Sequence, residues 1–191
     1  MAVKEILTIG HPILAARADE VDVGTINSPE IQGEIQDMID TMRDANGAGI
    51  AANQIGIPKR MFVIEVGNNP RYPYKPKVPL TIIINPSIKF LSDETFVSNG
   101  GCLSVPQMRA NVDRHVEIQV DYLDQTGKAV QQTIRGYSAC TWQHEYDHLD
   151  GLLFPNRVTD MSSFCSWKVF QEFKQKEFAE QVQALVDKWG A

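Results

Sequence analysis

The period of apolar and polar residues changes several times along the chain, and each change marks a predicted element. Apolar side chains recur at helical spacing over residues 29–45, after Ser28 as a candidate N-cap and Pro29 in the first turn, which predicts a helix. Residues 60–66 and 80–88 are rich in β-branched side chains and predict strands, whereas the Pro- and Asn-containing segment between them predicts a loop. Residues 115–124 alternate strictly, and the turn-forming residues 125–127 connect them to a second strand, which predicts a β-hairpin.

The last third of the chain is predicted to be helical. The helical period starts at about Tyr137 and continues through His144 and His148, and a final amphipathic helix is predicted over about 161–189. The predicted apolar stripe of this last helix includes Phe164, Trp167, Phe170, Phe173, Val182, Leu185, Val186 and Trp189. Strands followed by helices, without repeated β-α-β units, predict an α+β fold. We expect one domain over residues 1–191, with antiparallel or mixed β-sheets around a central helix that carries the histidines.

Charge and cysteine content narrow the class of protein. A net charge of −6 argues against nucleic acid as the main partner, so no direct binding of nucleic acid is expected. The basic residues of the segment 59–77 are expected to be solvated: Lys59, Arg60, Arg71, Lys75 and Lys77. Three widely spaced cysteines suit a reducing compartment better than a disulfide framework. Without a signal-like apolar segment at the start, or a run of about 18 apolar residues, a cytoplasmic location and no contact with membranes are expected.

The segment from His144 to His148 reads His-Glu-x-x-His, a pattern that can hold a metal ion. On a helix, side chains four residues apart project from one face, so both imidazoles could reach the same ion. The alternative is a helix surface with two unrelated histidines. The apolar residues that follow, Leu149, Leu152 and Leu153, favour burial of this helix, and two buried histidines without ligands beside Glu145 would be costly.

The residues alone leave two candidates for a third metal ligand. Glu172 has the spacing of the glutamate ligand in a gluzincin-type zinc peptidase. Cys102 lies in the segment 99–106, which is too rich in turn-forming residues to predict a core strand. A lone cysteine is most often a small buried apolar residue. The preceding Gly100 and Gly101 nevertheless allow close approach of the backbone to a ligand, which a packing cysteine would not require.

Three separated segments, taken in order, resemble the signature motifs of the peptide deformylase family. They are GAGIAANQIG (47–56), GCLS (101–104) and QHEYDHLDG (143–151). Further similarity lies in IGHPILAARA near the start, in IINPSI, and in VPQMRANVDR. The chain departs from the family pattern at Gly100, where the motif has a glutamate, and at the small Ala48. The first segment is not a phosphate-binding loop, because no Lys-Ser/Thr pair follows it.

The resemblance implies a hydrolase that removes the formyl group from the N-terminal formyl-methionine of newly made polypeptides. It implies that Cys102, His144 and His148 bind one divalent metal ion, with Glu145 as general base and then general acid toward water and the leaving amine. The developing oxyanion would be stabilised by the metal and by two protein groups, the side-chain amide of Gln54 and the backbone N–H of Leu103.

The methionine side chain of such a substrate needs a pocket. Residues one or two turns before His144 share its helix face and are expected to line that pocket. The backbone is expected to hold the peptide in extended form at Gly49 and Gly101, next to Ala48. The expected pocket residues of the helix are Tyr137, Cys140 and Thr141.

The resemblance leaves several properties of the protein open. Fe²⁺ is the expected ion, although a Cys/His/His site also suits Zn²⁺, Ni²⁺ or Co²⁺. Any docking on the ribosome is expected to be weak, because residues 168–188 carry four lysines against four acidic residues. Gly100 is expected to give a wider or more mobile pocket. Because it departs from the family motif, one alternative function is a deformylase-like protein that binds N-termini with little turnover. The gluzincin-type peptidase with Glu172 is the other alternative.

Overall fold

The computed structural model describes residues 2–67, 69 and 71–190 and contains eight strands and four α-helical segments in that part of the chain. The strands are β1 Gly49–Ala51, β2 Met61–Val66, β3 Val78–Phe90, β4 Thr95–Cys102, β5 Val105–His115, β6 Glu117–Leu123, β7 Ala129–Arg135 and β8 Cys165–Ser166. The helices are α1 Pro29–Asp44, α2 Ser138–Leu149, α3 Trp167–Val169 and α4 Gln175–Trp189. Within the described ranges, no helix combines the length and the apolar character that a membrane span requires.

Two antiparallel sheets form the framework, in the strand orders β1-β2-β3-β6-β7 and β4-β5-β8. Strand β2 is buried on both faces. Its residues Met61 and Val63 join the core against α1, whereas Phe62 and Ile64 join the core against α2. Alternating side chains of one strand therefore hold two helices on opposite faces of the larger sheet. This arrangement matches the predicted α+β class with α2 as the central helix.

Helix α1 begins where the sequence predicts it. The Ser28 Oγ accepts a hydrogen bond of 3.3 Å from the Ile31 N–H, and Pro29 occupies the first turn. The predicted apolar residues of this helix are all buried: Ile31, Ile35, Met38, Ile39 and Met42. Each such side chain contributes about 1.5–3 kcal/mol on full burial, so packing against β2 stabilises the helix more than its cap does.

The predicted hairpin is also present, as β6 and β7. The Asp124 Oδ1 accepts hydrogen bonds from the N–H groups of Thr126 at 2.8 Å and Lys128 at 3.1 Å. Gly127 has a φ of +83°, a conformation in which a side chain would be strained. The local turn thus fixes the register that pairs Leu123 with Ala129.

The second sheet contains part of the turn-rich segment 99–106, which is not expected to form a core strand. Residues 99–102 are the end of β4, an edge strand of the smaller sheet, and residues 103 and 104 form a turn. Gly100 pairs with Ala110 and Gly101 with Arg109 across the antiparallel ladder. The strand exists because β5 supplies its partner, a contribution that the intrinsic preferences of glycine do not reveal.

The C-terminal segment departs from the predicted single helix over 161–189. A short 3₁₀ turn, Met161–Ser163, is followed by β8, and the helix starts only at Trp167, after the Ser166 Oγ caps the Val169 N–H. A π-helical stretch, Phe170–Lys174, then shifts the side-chain register between α3 and α4. As a result Phe173 is 70% exposed, contrary to the predicted apolar stripe.

The predicted basic surface segment is partly buried. Arg60 is only 2% exposed, and its Nη1 donates to the Leu149 carbonyl at 3.1 Å and to Asp150 Oδ1 at 2.7 Å. Lys75 is half-buried and donates to the Thr141 Oγ1 at 2.9 Å. The expectation that these two side chains are solvated is therefore wrong. Both interact with α2 or the residue after it, which ties the segment 59–77 to the helix that carries the histidines.

Candidate metal centre and active site

Helix α2 presents His144, Glu145 and His148 toward the ends of β1 and β4. The helix starts after Gly136, whose φ of +62° turns the chain, and ends before Gly151, whose φ is +73°. The imidazole rings of His144 and His148 lie 4.9 Å apart between centroids and are nearly perpendicular, at 88°. One turn of helix therefore brings two imidazoles to the same place, as the sequence spacing predicts.

Cys102 meets this histidine pair from the end of β4. Its Sγ lies 3.3 Å from the Nε2 of His148. Ligand atoms of Cys102, His144 and His148 all lie within 4.8 Å of one another. Cys102 is 3% exposed and His148 is 1% exposed, so the group is largely shielded from water. A thiol and two imidazoles at this spacing can share one tetrahedral metal ion.

Burial keeps all three groups neutral in the metal-free protein. It raises the pKa of the Cys102 thiol to about 12 and lowers the pKa of His148 to about 4. Burial, followed by the neighbouring His148, also lowers the pKa of His144 well below its usual value. Neutral imidazoles are the form that binds metals, and the thiol would release its proton on binding. The donor set thus fits a divalent ion of borderline softness.

Two polar atoms around this group lack partners within the described part of the chain. They are the Nδ1 of His148 and the Oε2 of Glu145, both buried. Asp147, which lies between the two residues in sequence, is already fully engaged: its carboxylate accepts from Arg114 at 2.7 Å and from Arg157 at 2.8 Å. Asp147 therefore anchors the helix and is not available as a ligand.

Glu145 lies beside the ligand group and is held against Gly49. Glu145 is 4% exposed, and burial raises the pKa of its carboxyl group to about 8. A Cβ atom at position 49 would approach the Glu145 Oε1 to 2.6 Å, which is shorter than real contacts of this type. Gly49 therefore leaves the space that the carboxyl group occupies. A buried carboxyl group with a pKa near neutrality, next to a candidate metal group, suits proton transfer.

The side chain of Gln54 is oriented by hydrogen bonds at both ends of its amide. The Oε1 accepts from the Ala51 N–H at 2.8 Å, and the Nε2 donates to the Ser104 Oγ at 3.0 Å. The same Nε2 lies 3.6 Å from the Cys102 Sγ. Leu103, the residue between Cys102 and Ser104, occupies the turn between β4 and β5. The predicted oxyanion donors therefore lie on the Cys102 side of the ligand group.

A cleft of about 540 Å³ opens in front of these residues. The substrate-binding residues predicted from the sequence all line it: Ala48, Gly49, Gly101, Tyr137, Cys140 and Thr141. The cleft is also lined by five residues whose place in the site is not predicted from the sequence: Tyr72, Lys75, Ser98, Asn99 and Arg109. Ser98 and Asn99 precede Gly100 on β4, and strand alternation could have suggested them. Tyr72 and Lys75 belong to the loop before β3, where no sequence pattern indicates the contact.

The alternative metal ligand is excluded by its position. Glu172 is exposed in the π-helical stretch Phe170–Lys174 and does not belong to the ligand group. The gluzincin-type assignment of Glu172 is therefore wrong, since Cys102 is the residue grouped with the two histidines.

The site combines a helix that carries the His-Glu-x-x-His pattern, a third candidate ligand from a neighbouring strand and a buried glutamate beside them. This combination is typical of a metal-dependent hydrolase. The sequence profile of the family described as "Polypeptide deformylase" matches residues 3–164. The chain therefore belongs to the polypeptide deformylase family, whose members require a metal ion.

Individual relatives agree with this assignment. Peptide deformylase 1 of Nitrosomonas europaea is 39% identical over 162 residues, which cover 85% of this chain and 91% of the relative. Peptide deformylase 1 of Prochlorococcus marinus is 42% identical over 165 residues, covering 86% and 85%. The crystal structure of the class I type b peptide deformylase of Acinetobacter baumannii with bound Met-Ala-Ser has a TM-score of 0.79 and 37% identity, covering 82% of this chain and 99% of that chain.

Proposed function

We propose that this chain removes the N-formyl group from formyl-methionyl peptides at the cleft between β1, β4 and α2. The observation that carries this proposal is the grouping of the Cys102, His144 and His148 ligand atoms within 4.8 Å, beside the buried and unpartnered Glu145 Oε2. The Acinetobacter baumannii relative binds Met-Ala-Ser, the product that deformylation of formyl-Met-Ala-Ser would leave. A peptide substrate of the same kind is therefore proposed here.

Cys102, His144 and His148 would hold one divalent metal ion. When bound, such an ion supplies Lewis-acid chemistry: it polarises the formyl oxygen and makes water acidic enough to react near neutral pH. The thiol and the two neutral imidazoles are matched to Fe²⁺, Zn²⁺, Ni²⁺ or Co²⁺, and Fe²⁺ is the ion we propose as native. Metal analysis of protein purified without oxygen tests this choice.

Glu145 is proposed to move the proton. Its carboxylate takes a proton from the attacking water, which adds to the formyl carbon. The same carboxyl group then gives the proton to the nitrogen of the leaving amine, so the products are formate and a peptide with a free N-terminus. The fixed position of Glu145 against Gly49 supports this role, because a base must stay within hydrogen-bond reach of the water throughout both transfers.

Gln54 and Leu103 are proposed to stabilise the negative charge that develops on the formyl oxygen. The Gln54 amide cannot rotate freely, because the Ala51 N–H holds its Oε1 and directs the Nε2 donor toward the Cys102 side. A donor that is oriented before the reaction costs little to reorganise when charge develops. The Leu103 N–H, in the turn immediately after Cys102, is the second proposed donor.

The peptide is proposed to bind in extended form between two strand edges. Strand β1 is at one edge of the larger sheet and β4 is at one edge of the smaller sheet. Gly49 on β1 and Gly101 on β4 line the cleft from these two edges, and neither has a side chain to block the approach of a peptide backbone. Backbone hydrogen bonds to an edge strand are a common way to hold a peptide.

Several sequence expectations about the wider context stay predictions. These are a single catalytic domain over residues 1–191, a cytoplasmic location, weak ribosome docking and no direct binding of nucleic acid. Lysines and acidic residues are interspersed in equal number over residues 168–188, so no strongly basic segment is expected there. Sedimentation of the protein with ribosomes at increasing salt measures the docking.

The test combines metal content and turnover on one preparation. Wild-type protein, Glu145→Gln and the exposed control Glu172→Gln are purified without oxygen, analysed for metal and assayed for formate release from formyl-Met-Ala-Ser. We expect all three to bind one ion per chain, Glu172→Gln to turn over like wild type, and Glu145→Gln to lose at least about 10²–10⁴-fold in kcat. Retention of turnover by Glu145→Gln within tenfold of wild type would refute the assigned role.

A further inference from the structure

Lys75 brings a positive charge to the wall of the cleft from the loop between β2 and β3. Its Nζ donates to the Thr141 Oγ1 at 2.9 Å. Thr141 lies one helical turn before Glu145 on α2, so both side chains project from the same face of the helix. The Nζ also lies 5.0 Å from the ring centroid of Tyr72 and 6.0 Å from that of Tyr137. Lys75 is therefore close to the residue proposed to give a proton to the leaving amine.

The charge of Lys75 is not balanced locally. Among the residues that the structure describes, no carboxylate oxygen lies within 4.0 Å of the Lys75 Nζ, and Glu145 is the only acidic residue that lines the cleft. Burial lowers the pKa of Lys75, which means that removal from water disfavours its charged form. The hydroxyl of Thr141 and the two aromatic faces offset only part of that cost.

A second cation lines the same cleft. Arg109 is 2% exposed, its Nε and Nη2 donate to Asn99, and its guanidinium packs 4.1 Å from the ring centroid of Phe170. Its buried Nη1 has no hydrogen-bond partner in the described ranges. Asn99 and Phe170 are neutral, so they leave the charge of Arg109 uncompensated. The lining of the cleft thus contains two cationic side chains, Lys75 and Arg109, against the single carboxyl group of Glu145.

Deformylation changes the charge at the N-terminus of the peptide. The formamide nitrogen of a formyl peptide is uncharged. Removal of the formyl group leaves an α-amino group with a pKa of about 7.7–8.0, so most of it is protonated at pH 6.5. The proton transfer proposed above places this nitrogen within hydrogen-bond reach of Glu145. The reaction therefore creates an ammonium group near the ammonium group of Lys75.

We propose that Lys75 discriminates against free N-termini: its charge weakens the binding of peptides that end in an ammonium group, so deformylated chains leave the cleft and compete little with formylated ones. This inference rests on the deformylase function proposed above. It concerns the terminal nitrogen only and leaves methionine as the first residue of the substrate. Two like unit charges about 7–10 Å apart, at an effective dielectric constant near 20, change a Kd by about tenfold or more.

The competing explanation is that Lys75 is structural. In that case burial keeps the side chain uncharged, and its hydrogen bond to Thr141 only fixes the loop. Replacement of Lys75 would then weaken the binding of charged and uncharged peptides by the same factor. A discriminating lysine instead changes the ratio between the two affinities.

The experiment compares two peptides that differ only in the α-amino group. One is Met-Ala-Ser, which the Acinetobacter baumannii relative binds, and the other is the same peptide with hydrogen in place of that group. Both are titrated calorimetrically at pH 6.5 into Zn²⁺-loaded wild type, Lys75→Gln, Lys75→Met, Lys75→Arg and the control Lys77→Met, which removes an exposed lysine of the same loop. The measured quantity is the Kd of Met-Ala-Ser divided by the Kd of the amine-free peptide. Glu145 and the metal ion are common to all five proteins, so a change in this ratio reports the substituted lysine.

The variants decide the question. Lys75→Gln and Lys75→Met should lower the ratio by about tenfold or more, because Met-Ala-Ser then binds without repulsion, whereas Lys75→Arg and Lys77→Met should leave it close to that of wild type. Lys75→Gln can still donate a hydrogen bond to Thr141, so it decides the outcome if Lys75→Met does not fold. A fall of less than about threefold in Lys75→Gln overturns the proposal. An equal fall in Lys75→Arg also overturns it, because that variant keeps the charge.

A turnover measurement separates this proposal from the proposed function. The same proteins are assayed for formate release from formyl-Met-Ala-Ser, with and without added Met-Ala-Ser, and we expect Met-Ala-Ser to inhibit Lys75→Gln more strongly than wild type. No formate release by wild type would refute the deformylase function, while a ratio of Kd values that follows the charge at position 75 would still support the role of Lys75. Normal release together with an unchanged ratio would overturn that role alone.

Discussion

Replacement of Glu145 by glutamine should stabilise the metal-free protein, by an amount that depends on pH. Glu145 is 4% exposed, and burial raises the pKa of its carboxyl group to about 8 from an ordinary 4.5. In the unfolded chain the group is ionised above pH 4.5, whereas in the folded chain it keeps its proton until about pH 8. The folded state thus binds more protons between these values, and wild-type stability falls as the pH rises through this window.

The magnitude follows from the size of the shift. A pKa difference of about 3.5 units corresponds to about 5 kcal/mol at 1.36 kcal/mol per unit, reached once the pH exceeds 8. Glutamine has nearly the same shape as glutamate and does not ionise, so its folding free energy lacks this dependence. The stability of Glu145→Gln minus that of wild type should therefore rise by about 1.4 kcal/mol per pH unit between pH 5 and 8 and level off above pH 8.

The assay is urea unfolding of chelator-treated protein, followed by circular dichroism at several pH values from 5.5 to 8.5. Glu172→Gln is the control, because it removes an exposed carboxylate of the π-helical stretch and should give a difference that changes little with pH. Adding Zn²⁺ should weaken the pH dependence of the stability difference between Glu145→Gln and wild type, since a nearby cation favours the ionised carboxylate of wild type. A difference between Glu145→Gln and wild type that stays constant from pH 5.5 to 8.5 would show that Glu145 ionises normally, and the reasoning would fail.

Four further substitutions test other parts of the structure. Cys102→Ser should lose its metal during dialysis against a mild chelator, because a neutral alcohol replaces the thiolate; a full complement of metal after dialysis would remove Cys102 from the ligand set. Gly49→Ala should keep its metal but fall at least about tenfold in kcat, because the new methyl group displaces the Glu145 carboxylate; unchanged kcat would show that the carboxylate tolerates the shift. Phe178→Ala, which empties a 6% exposed position on α4, should lower the free energy of unfolding by about 3–5 kcal/mol, and a loss below 1 kcal/mol in urea titrations would contradict the packing of α4. Gly100→Glu has room for its Cβ, whose nearest neighbour would be 3.4 Å away. The added negative charge should shift the acid limb of the kcat/KM–pH profile to higher pH by up to about one pH unit. An identical profile would make Gly100 a neutral replacement.

The sequence by itself determined the elements whose signals are local. The start of α1 could be predicted because Ser28 and Pro29 act on the first turn that follows them, and the hairpin could be predicted because Asp124 and Gly127 form its turn. The spacing of His144 and His148 likewise converts directly into a shared helix face. In each case the interacting groups lie within a few residues of one another, so the order of the residues specifies the geometry.

The third metal ligand depended on both the sequence and the tertiary structure. The residues alone left Cys102 and Glu172 open, and the similarity of three ordered motifs to the deformylase family indicated Cys102. The tertiary structure then brought the Cys102 Sγ to 3.3 Å from the His148 Nε2, across a separation of 46 residues. The composition of segment 99–106 argues against a core strand, and residues 99–102 form the end of an edge strand only because β5 pairs with them, which is a tertiary contact.

Only the tertiary structure decided what surrounds the ligand group. The C-terminal helix starts at Trp167 because β8 pairs with Met108 and Arg109 on a distant strand, and the π-helical stretch then turns Phe173 outward. Lys75 belongs to a loop whose composition predicts solvent exposure, yet its ammonium group contacts Thr141, 66 residues away. Contacts of this kind depend on how separate elements pack against one another, and that packing is set by the shape of the whole core. The period of apolar residues along the chain therefore does not predict them.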